Sequence, residues 1–158
     1  MELYNILDEL NIDYREKEHK PVLTMDDAIG LDIYDDFPGT NMKNLFLSNH
    51  KGKYFLVLIV GEKRADIKAI AKGIGQPRLS FAKDEVLEEI LGVVSGSVTP
   101  LGIINDTENK VTVCIDKDLI GKRLYMHPCT NTKTMTMESE DLIKFIKHLG
   151  HEYILIDA

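Results

Sequence analysis

Apolar residues recur at Leu3, Ile6, Leu7 and Leu10, a helical spacing that predicts a first helix over roughly residues 1–10. "IDYREKEH" (12–19) then alternates as a strand does. Thr24 before "MDDAIGL" predicts an N-cap, with Asp26 and Asp27 well placed in the first turn. Residues 32–40, "DIYDDFPGT", read as a loop closed by Pro38-Gly39. "KNLFLS" and "KYFLVLIV" are apolar runs joined by "NHKG", a β-hairpin signal. The second run is apolar over seven consecutive positions, which predicts burial of both its faces.

"RADIKAIAKGI" predicts a helix with Lys68 and Lys72 one turn apart, and "KDEVLEEILG" another, ended by Gly92. "VTPLGII" and "KVTVCID" read as a second hairpin around Asn105–Asn109. "RLYMH" and "TKTMTM" are further strands, Ser139 is read as the cap of a last helix, "EDLIKFIKHLG", and "YILID" closes the chain. With no internal repeat, low-complexity tract or linker, residues 1–158 read as one domain. Strands that come mostly as tight hairpins favour an α+β fold: a curved, largely antiparallel mixed sheet with helices packed around it.

Composition narrows the class. Apolar content of 44% with 28% charge is globular, and no stretch approaches the ~20 apolar residues of a membrane span. "MELYNILDEL" reads as an amphipathic helix rather than a signal peptide. Two cysteines, Cys114 and Cys129, form neither a disulfide framework nor a metal pattern, so a cytoplasmic protein with reduced thiols is expected. The sequon Asn105-Asp106-Thr107 is then not a glycosylation site.

The net charge of -7 argues against a nucleic-acid partner, but its distribution does not. Residues 1–42 carry a net -8 and residues 84–158 a net -6. Between them, residues 43–83 hold nine basic and two acidic side chains, a net +7. A phosphate responds to that local island rather than to the total. The plainer reading is a solvated helix face with hairpin lysines.

Three features carry candidate chemistry. Lys43, between a Pro-Gly turn and an apolar strand, is either a strand-end charge or an ammonium that grips a phosphate or carbonyl oxygen at a pocket mouth. Gly96–Pro100, "GSVTP", is either a plain turn or a small-residue loop that brings backbone N–H groups to a developing oxyanion. His127 stands between an apolar strand and the tract Thr130, Asn131, Thr132, Thr134, Thr136, and is either structural or catalytic. The other histidines lie in turns, loops or a helix end. His127 and Cys129 have no further ligands at zinc spacing, and a Cys129–His127 nucleophile pair would depend on Pro128. "GIGQPR" fits no glycine phosphate fingerprint, and no serine sits in a nucleophile elbow.

Taken together, "PVLTMDDA", "PGTNMKNLFL", "GKYFLVLIVGEKRADIKAIAK", "LGVVSGSVTPLGIINDTENKVTVCIDKDL" and "HPCTNTKTMTMESEDLIKFIKHLGHEYILID" resemble the YbaK/ProX family. These are free-standing aminoacyl-tRNA deacylases related to the editing domain inserted in bacterial prolyl-tRNA synthetases. The resemblance covers essentially the whole chain. Its most specific pieces are Lys43-Asn44-Leu45-Phe46-Leu47, the G-x-x-x-P loop, and His127-Pro128 with Asn131-Thr132. The "KNLFL" and "HP…NT…T" blocks are most similar to the ProX branch, which hydrolyses Ala-tRNA(Pro); the YbaK branch removes cysteine from tRNA(Pro).

The resemblance implies roles residue by residue. Lys43 corresponds to the family's essential lysine, engaging the terminal adenosine or its phosphate and the ester region. Gly96 and its loop contact the aminoacyl group, and His127 positions substrate or attacking water. Asn44, Ser97, Val98, Thr99, Pro100, Asn131 and Thr132 are expected to bind substrate. Asn41 and Met42 depart from close relatives at the pocket entrance. No metal and no cofactor is implied, because an aminoacyl ester is already activated. It needs a positioned water, oxyanion donors and exclusion of the wrong amino acid.

A pocket built for proline rejects alanine poorly, since a missing methylene is worth only about 1–3 kcal/mol. A second, smaller sieve repairs the error, and Val94, Val98 and Leu101 are candidates to build it. Lys63, Arg64, Lys68 and Lys72 are expected to follow acceptor-stem phosphates. The implied partners are the acceptor end of charged tRNA(Pro) and, as a candidate, prolyl-tRNA synthetase. Alternatives are Cys-tRNA(Pro) or another small aminoacyl-tRNA, a non-catalytic tRNA- or synthetase-binding module, or an unrelated small-molecule binding domain.

Overall fold

The computed structural model describes residues 2–19, 37–130 and 132–158. The Thr24 cap with its helix, the loop residues 32–36, and Asn131 lie outside the described residues. Helix α1 (Glu2–Glu9) buries Leu3, Ile6 and Leu7, the stripe its spacing predicts. Strand β1 (Arg15–Glu18) follows, then the hairpin of β2 (Met42–Ser48) and β3 (Tyr54–Val60). Helix α2 (Ile67–Ile74) starts at Asp66, whose carboxylate accepts the Ala69 N–H, and ends at Gly75 in the left-handed region. Next come β4 (Ser80–Phe81), α3 (Asp84–Leu91), β5 (Val111–Asp116), β6 (Arg123–Met126), β7 (Lys133–Glu138), α4 (Ser139–His148) and β8 (Tyr153–Ile156).

The strands form two sheets. One is antiparallel, in the order β1-β7-β6. The other runs β4-β2-β3-β5-β8. In the larger sheet β2 pairs antiparallel with β3 and β4, whereas β3–β5 and β5–β8 are parallel. Phe55 to Ile59 on β3 are all buried, as the seven-residue apolar run predicts. A mixed α+β fold with mainly antiparallel pairs is therefore present, divided over two sheets rather than one. A single parallel bridge, Thr40–Leu124, joins the N-terminal end of β2 to β6.

Alternation along β2 sorts its side chains. Met42 and Phe46 enter a core that also takes Leu124 and Met126 from β6, Met135 and Met137 from β7, and Leu3 and Phe145 from the helices. Leu45 and Leu47 enter a second core, where Val57, Ile59 and Cys114 meet Ile70 and Ala71 of α2.

Two expectations are corrected. "VTPLGII" is not a hairpin strand; Pro100–Asn105 is a 3-10 helix. Pro100 has no N–H for a sheet ladder and sits in the first helical turn, while Thr99 Oγ1 accepts the Leu101 N–H. The carboxylate of Asp106 takes the N–H groups of Lys110 and Val111, so the turn there delivers β5 to β3 in parallel. Ser139 is not the cap of the last helix but its first residue. Its hydroxyl accepts the Gly121 N–H instead.

Candidate active site

The polar tract after His127 alternates across the smaller sheet. Met135 and Met137 face the core, whereas Thr134 and Thr136 point the other way, yet are only 4% and 0% exposed. Hydroxyls buried so deeply need partners. Thr134 Oγ1 lies 2.8 Å from His19 Nε2, and Thr136 Oγ1 accepts from Arg123 Nε at 2.8 Å. Tyr125, opposite Thr136, donates its hydroxyl to the Phe37 carbonyl. His19 is more than the loop residue its sequence neighbourhood suggests: it is two positions past Lys17, the β1 partner of Thr134, and the alternation of β1 is the signal that brings it here.

His127 follows β6 directly. Its Nδ1 is 3.0 Å from the Lys133 carbonyl, which can only accept, so Nδ1 carries the hydrogen and Nε2 is left as an acceptor. Burial holds the imidazole pKa below its ordinary 6.5; the Lys133 carbonyl opposes this, and the His19 ring, edge-on at 6.5 Å, adds to it. The ring is therefore neutral at pH 7, with a lone pair for a water or hydroxyl proton.

Lys43 comes from a different strand and a different sheet. It stands three residues past Thr40 on β2, as His127 stands three residues past Leu124, the partner of Thr40 in the bridge between the sheets. The Lys43 ammonium donates to the Lys63 carbonyl. It keeps two further donors.

Asn44 faces away from Lys43, on the main-core side. Its Oδ1 is buried, and it has no hydrogen-bond partner among the described residues. Leaving a buried amide oxygen without a partner costs about 1–3 kcal/mol.

The Gly96–Pro100 loop leaves α3 through Gly92. Gly96 has φ +91°, a conformation that glycine alone adopts cheaply. Ser97 donates its N–H to the Val94 carbonyl at 3.0 Å, closing a tight turn. Of the loop N–H groups expected to face a developing oxyanion, that of Ser97 is thus already engaged. Ser97, Thr99 and Pro100 are buried, and Val98 packs half-buried on the main core. Val94 is 56% exposed at the rim, while Leu101 is wholly interior. No hydrogen bond among the described residues ties this loop to Lys43 or His127.

Thr132 is half-buried, its hydroxyl 3.0 Å from that of Thr130, and its carbonyl accepts the His19 N–H at 2.9 Å. It anchors His19. Cys129, at φ +62°, has its thiol pKa pushed up by burial, which disfavours the thiolate a nucleophile requires. Among the described residues, no group of three or more His, Cys, Asp or Glu side chains converges as a metal site would.

The basic island divides. Lys63 Nζ lies 2.9 Å from Asp116 Oδ2 and 2.7 Å from Asp118 Oδ2, and donates to the Ala158 carbonyl. Hydrogen bonds to Asp118 and then Asp116 raise its pKa. Its charge is spent inside the protein, contrary to the phosphate contact expected of it. Arg64, Lys68 and Lys72 are exposed, and Arg64 and Lys68 line an open concavity at the start of α2.

Comparison with known proteins identifies the family. Residues 20–145 match the model of the aminoacyl-tRNA editing domain. The prolyl-tRNA editing protein ProX of Acetoanaerobium sticklandii is 36% identical over 154 residues, covering 96% of this chain and 92% of that protein. The prolyl-tRNA synthetase associated domain-containing protein 1 of Danio rerio is 32% identical over 158 residues, covering 98% and 85%. Solved structures share the fold: hypothetical protein APE2540 at TM-score 0.75 and 16% identity, covering 99% of both chains. A candidate trans-editing enzyme for prolyl tRNA synthetase gives 0.72 at 19%, covering 99% of this chain and 94% of that one. The chain belongs to the aminoacyl-tRNA editing domain family, the YbaK/ProX deacylases that its motifs resemble. Such proteins are hydrolases of the ester that joins an amino acid to tRNA.

Proposed function

We propose that this chain, acting as a single editing domain, deacylates mischarged tRNA(Pro) in trans, with Ala-tRNA(Pro) as its preferred substrate. The observation that carries the reading is the match of residues 20–145 to the aminoacyl-tRNA editing domain, together with 36% identity to ProX. In this reading Lys43 contributes a cation and His127 a neutral imidazole acceptor. The Lys43 ammonium holds the terminal phosphate or the ester region. Nε2 of His127 accepts a hydrogen bond from the attacking water. The water oxygen adds to the ester carbonyl, the ribose oxygen leaves with a proton, and free alanine and tRNA result.

The glycine-rich loop supplies the pocket wall. Gly96 and Val98 N–H have no partner among the described residues and are the backbone donors best suited to the oxyanion. Asn44 Oδ1, unpartnered among the described residues, is on the opposite face of β2 from Lys43 and is offered to a substrate donor only from the main-core side. Alanine fits the family's task, because the synthetase cannot exclude it by size. The similarity to ProX supports tRNA(Pro). Prolyl-tRNA synthetase is the natural partner in that role, and the cytoplasm its place; no described helix is long and apolar enough to cross a membrane. Turnover of Ala-tRNA(Pro), compared with Cys- and Pro-tRNA(Pro), tests the reading. Preference for cysteine would refute the alanine assignment, and no turnover would refute the hydrolysis.

A further inference from the structure

The far end of β2 carries a feature that hydrolysis does not use. β4 is an edge strand, and its Phe81 pairs with Leu47. Register partners share a face, so Phe81 lies on the side of Lys43, Leu45 and Leu47. Leu47 is fully buried there, whereas Phe81 is 60% exposed. A lone exposed phenylalanine is ordinary. This one sits among cations.

Arg78 precedes it and Lys83 follows it, both exposed. The β2–β3 turn, with exposed Lys51 and Lys53, is fastened beside it: His50 Nε2 bonds Ser80 Oγ, and Asn49 Nδ2 donates to Gln76 Oε1 at 3.3 Å. None of these four cations forms an ion pair among the described residues. The nearest acids in sequence, Asp84 and Glu85, occupy the first turn of α3, where the helix dipole favours them. Charge on an edge strand also guards against strand pairing, but that purpose is not served by presenting a bare aromatic ring. An exposed aromatic side chain with unpaired cations on neighbouring residues and on the adjoining turn is the composition of a surface that stacks a base and meets phosphates.

We propose that Phe81, with Arg78, Lys83, Lys51 and Lys53, forms a second RNA contact, in which the ring stacks on a base of the tRNA whose end occupies the active site. The inference rests on the deacylase reading for the identity of that RNA. Four strand steps of about 3.4 Å separate Lys43 from Leu47, roughly 14 Å along β2. A stacked strand advances about 3.4 Å per nucleotide, so this reach spans about four nucleotides. A single-stranded 3′ end is long enough for that separation, passing over rather than along β2, whose Leu45 and Leu47 are buried beneath α2.

Fluorescence anisotropy of an uncharged acceptor-stem hairpin RNA with an unpaired 3′ end tests this, using the full chain. Phe81→Ala should weaken binding about five-fold or more, with the salt dependence unchanged, and Phe81→Tyr should restore it. Arg78→Ala with Lys83→Ala should lower the slope of log K against log salt by about one to two. Equal affinity of wild type and Phe81→Ala, or no binding of the RNA by wild type, would overturn the contact. Deacylation of charged tRNA(Pro) is read separately. Intact turnover with an indifferent Phe81 refutes only this contact, whereas a Phe81-dependent affinity without turnover refutes only the hydrolysis.

Discussion

Thr40 and Leu124, 84 positions apart in the chain, form the parallel bridge that joins the two sheets, and Lys43 and His127 each stand three residues beyond it. The bridge is short: Thr40 donates to the Arg123 carbonyl at 2.7 Å and accepts from Tyr125 N–H at 3.0 Å. Gly39 stands against the Tyr125 ring, where a Cβ would come within 3.0 Å of it.

His127 gives a pH signature. Burial lowers its pKa, so the unfolded chain takes up the proton first as pH falls. Its contribution to stability is complete above about pH 6.5 and is lost as pH drops through the lower native pKa. Activity should hold through neutral pH and fall only on the acid side of 6.5. His127→Gln should lose about 10²–10⁴ in kcat and flatten that part of the stability profile, read by thermal melts from pH 5 to 8. An activity limb above pH 7 would assign the base elsewhere.

Asn44 predicts opposite effects on stability and function. Asn44→Leu replaces an unsatisfied buried oxygen with an apolar group, so Tm should rise or hold while kcat/KM falls about ten-fold or more. A lower Tm with unchanged kinetics would make Asn44 structural.

Gly96→Ala forces a side chain into φ +91° and should cost about 1–2 kcal/mol locally. The loop then shifts, and kcat should fall more than Tm does. Unchanged kcat would remove the loop from the site.

The cations should separate by role. Lys68→Glu with Lys72→Glu should raise KM, flatten its salt dependence and leave Tm nearly unaltered. Lys63→Ala should instead lower Tm by a few degrees, because Asp116, 1% exposed, loses its cation. Unchanged KM in the double reversal would exclude α2 from the tRNA path.

Local signals were readable and distant ones were not. The β2–β3 hairpin followed from one turn and two apolar runs, and α1 from its apolar stripe. "VTPLGII" misled because an apolar run suits a strand and a 3-10 turn alike, and only Pro100 argued for the latter. The parallel pairing of β3 and β5 crosses 50 residues and leaves no local trace. Lys43, Gly96 and His127 were legible as residue types in motifs. His19 was missed because its partner Thr134 is 115 residues away. The pairing of Lys63 leaves no local trace either, since Asp116 and Asp118 are 53 and 55 residues away.

The most direct measurement is deacylation of Ala-tRNA(Pro), Cys-tRNA(Pro) and Pro-tRNA(Pro) by wild type and Lys43→Ala. The account predicts rapid loss of alanine alone, abolished in the variant while its fold is retained. Undiminished turnover by Lys43→Ala, or no turnover of any ester by wild type, would contradict it.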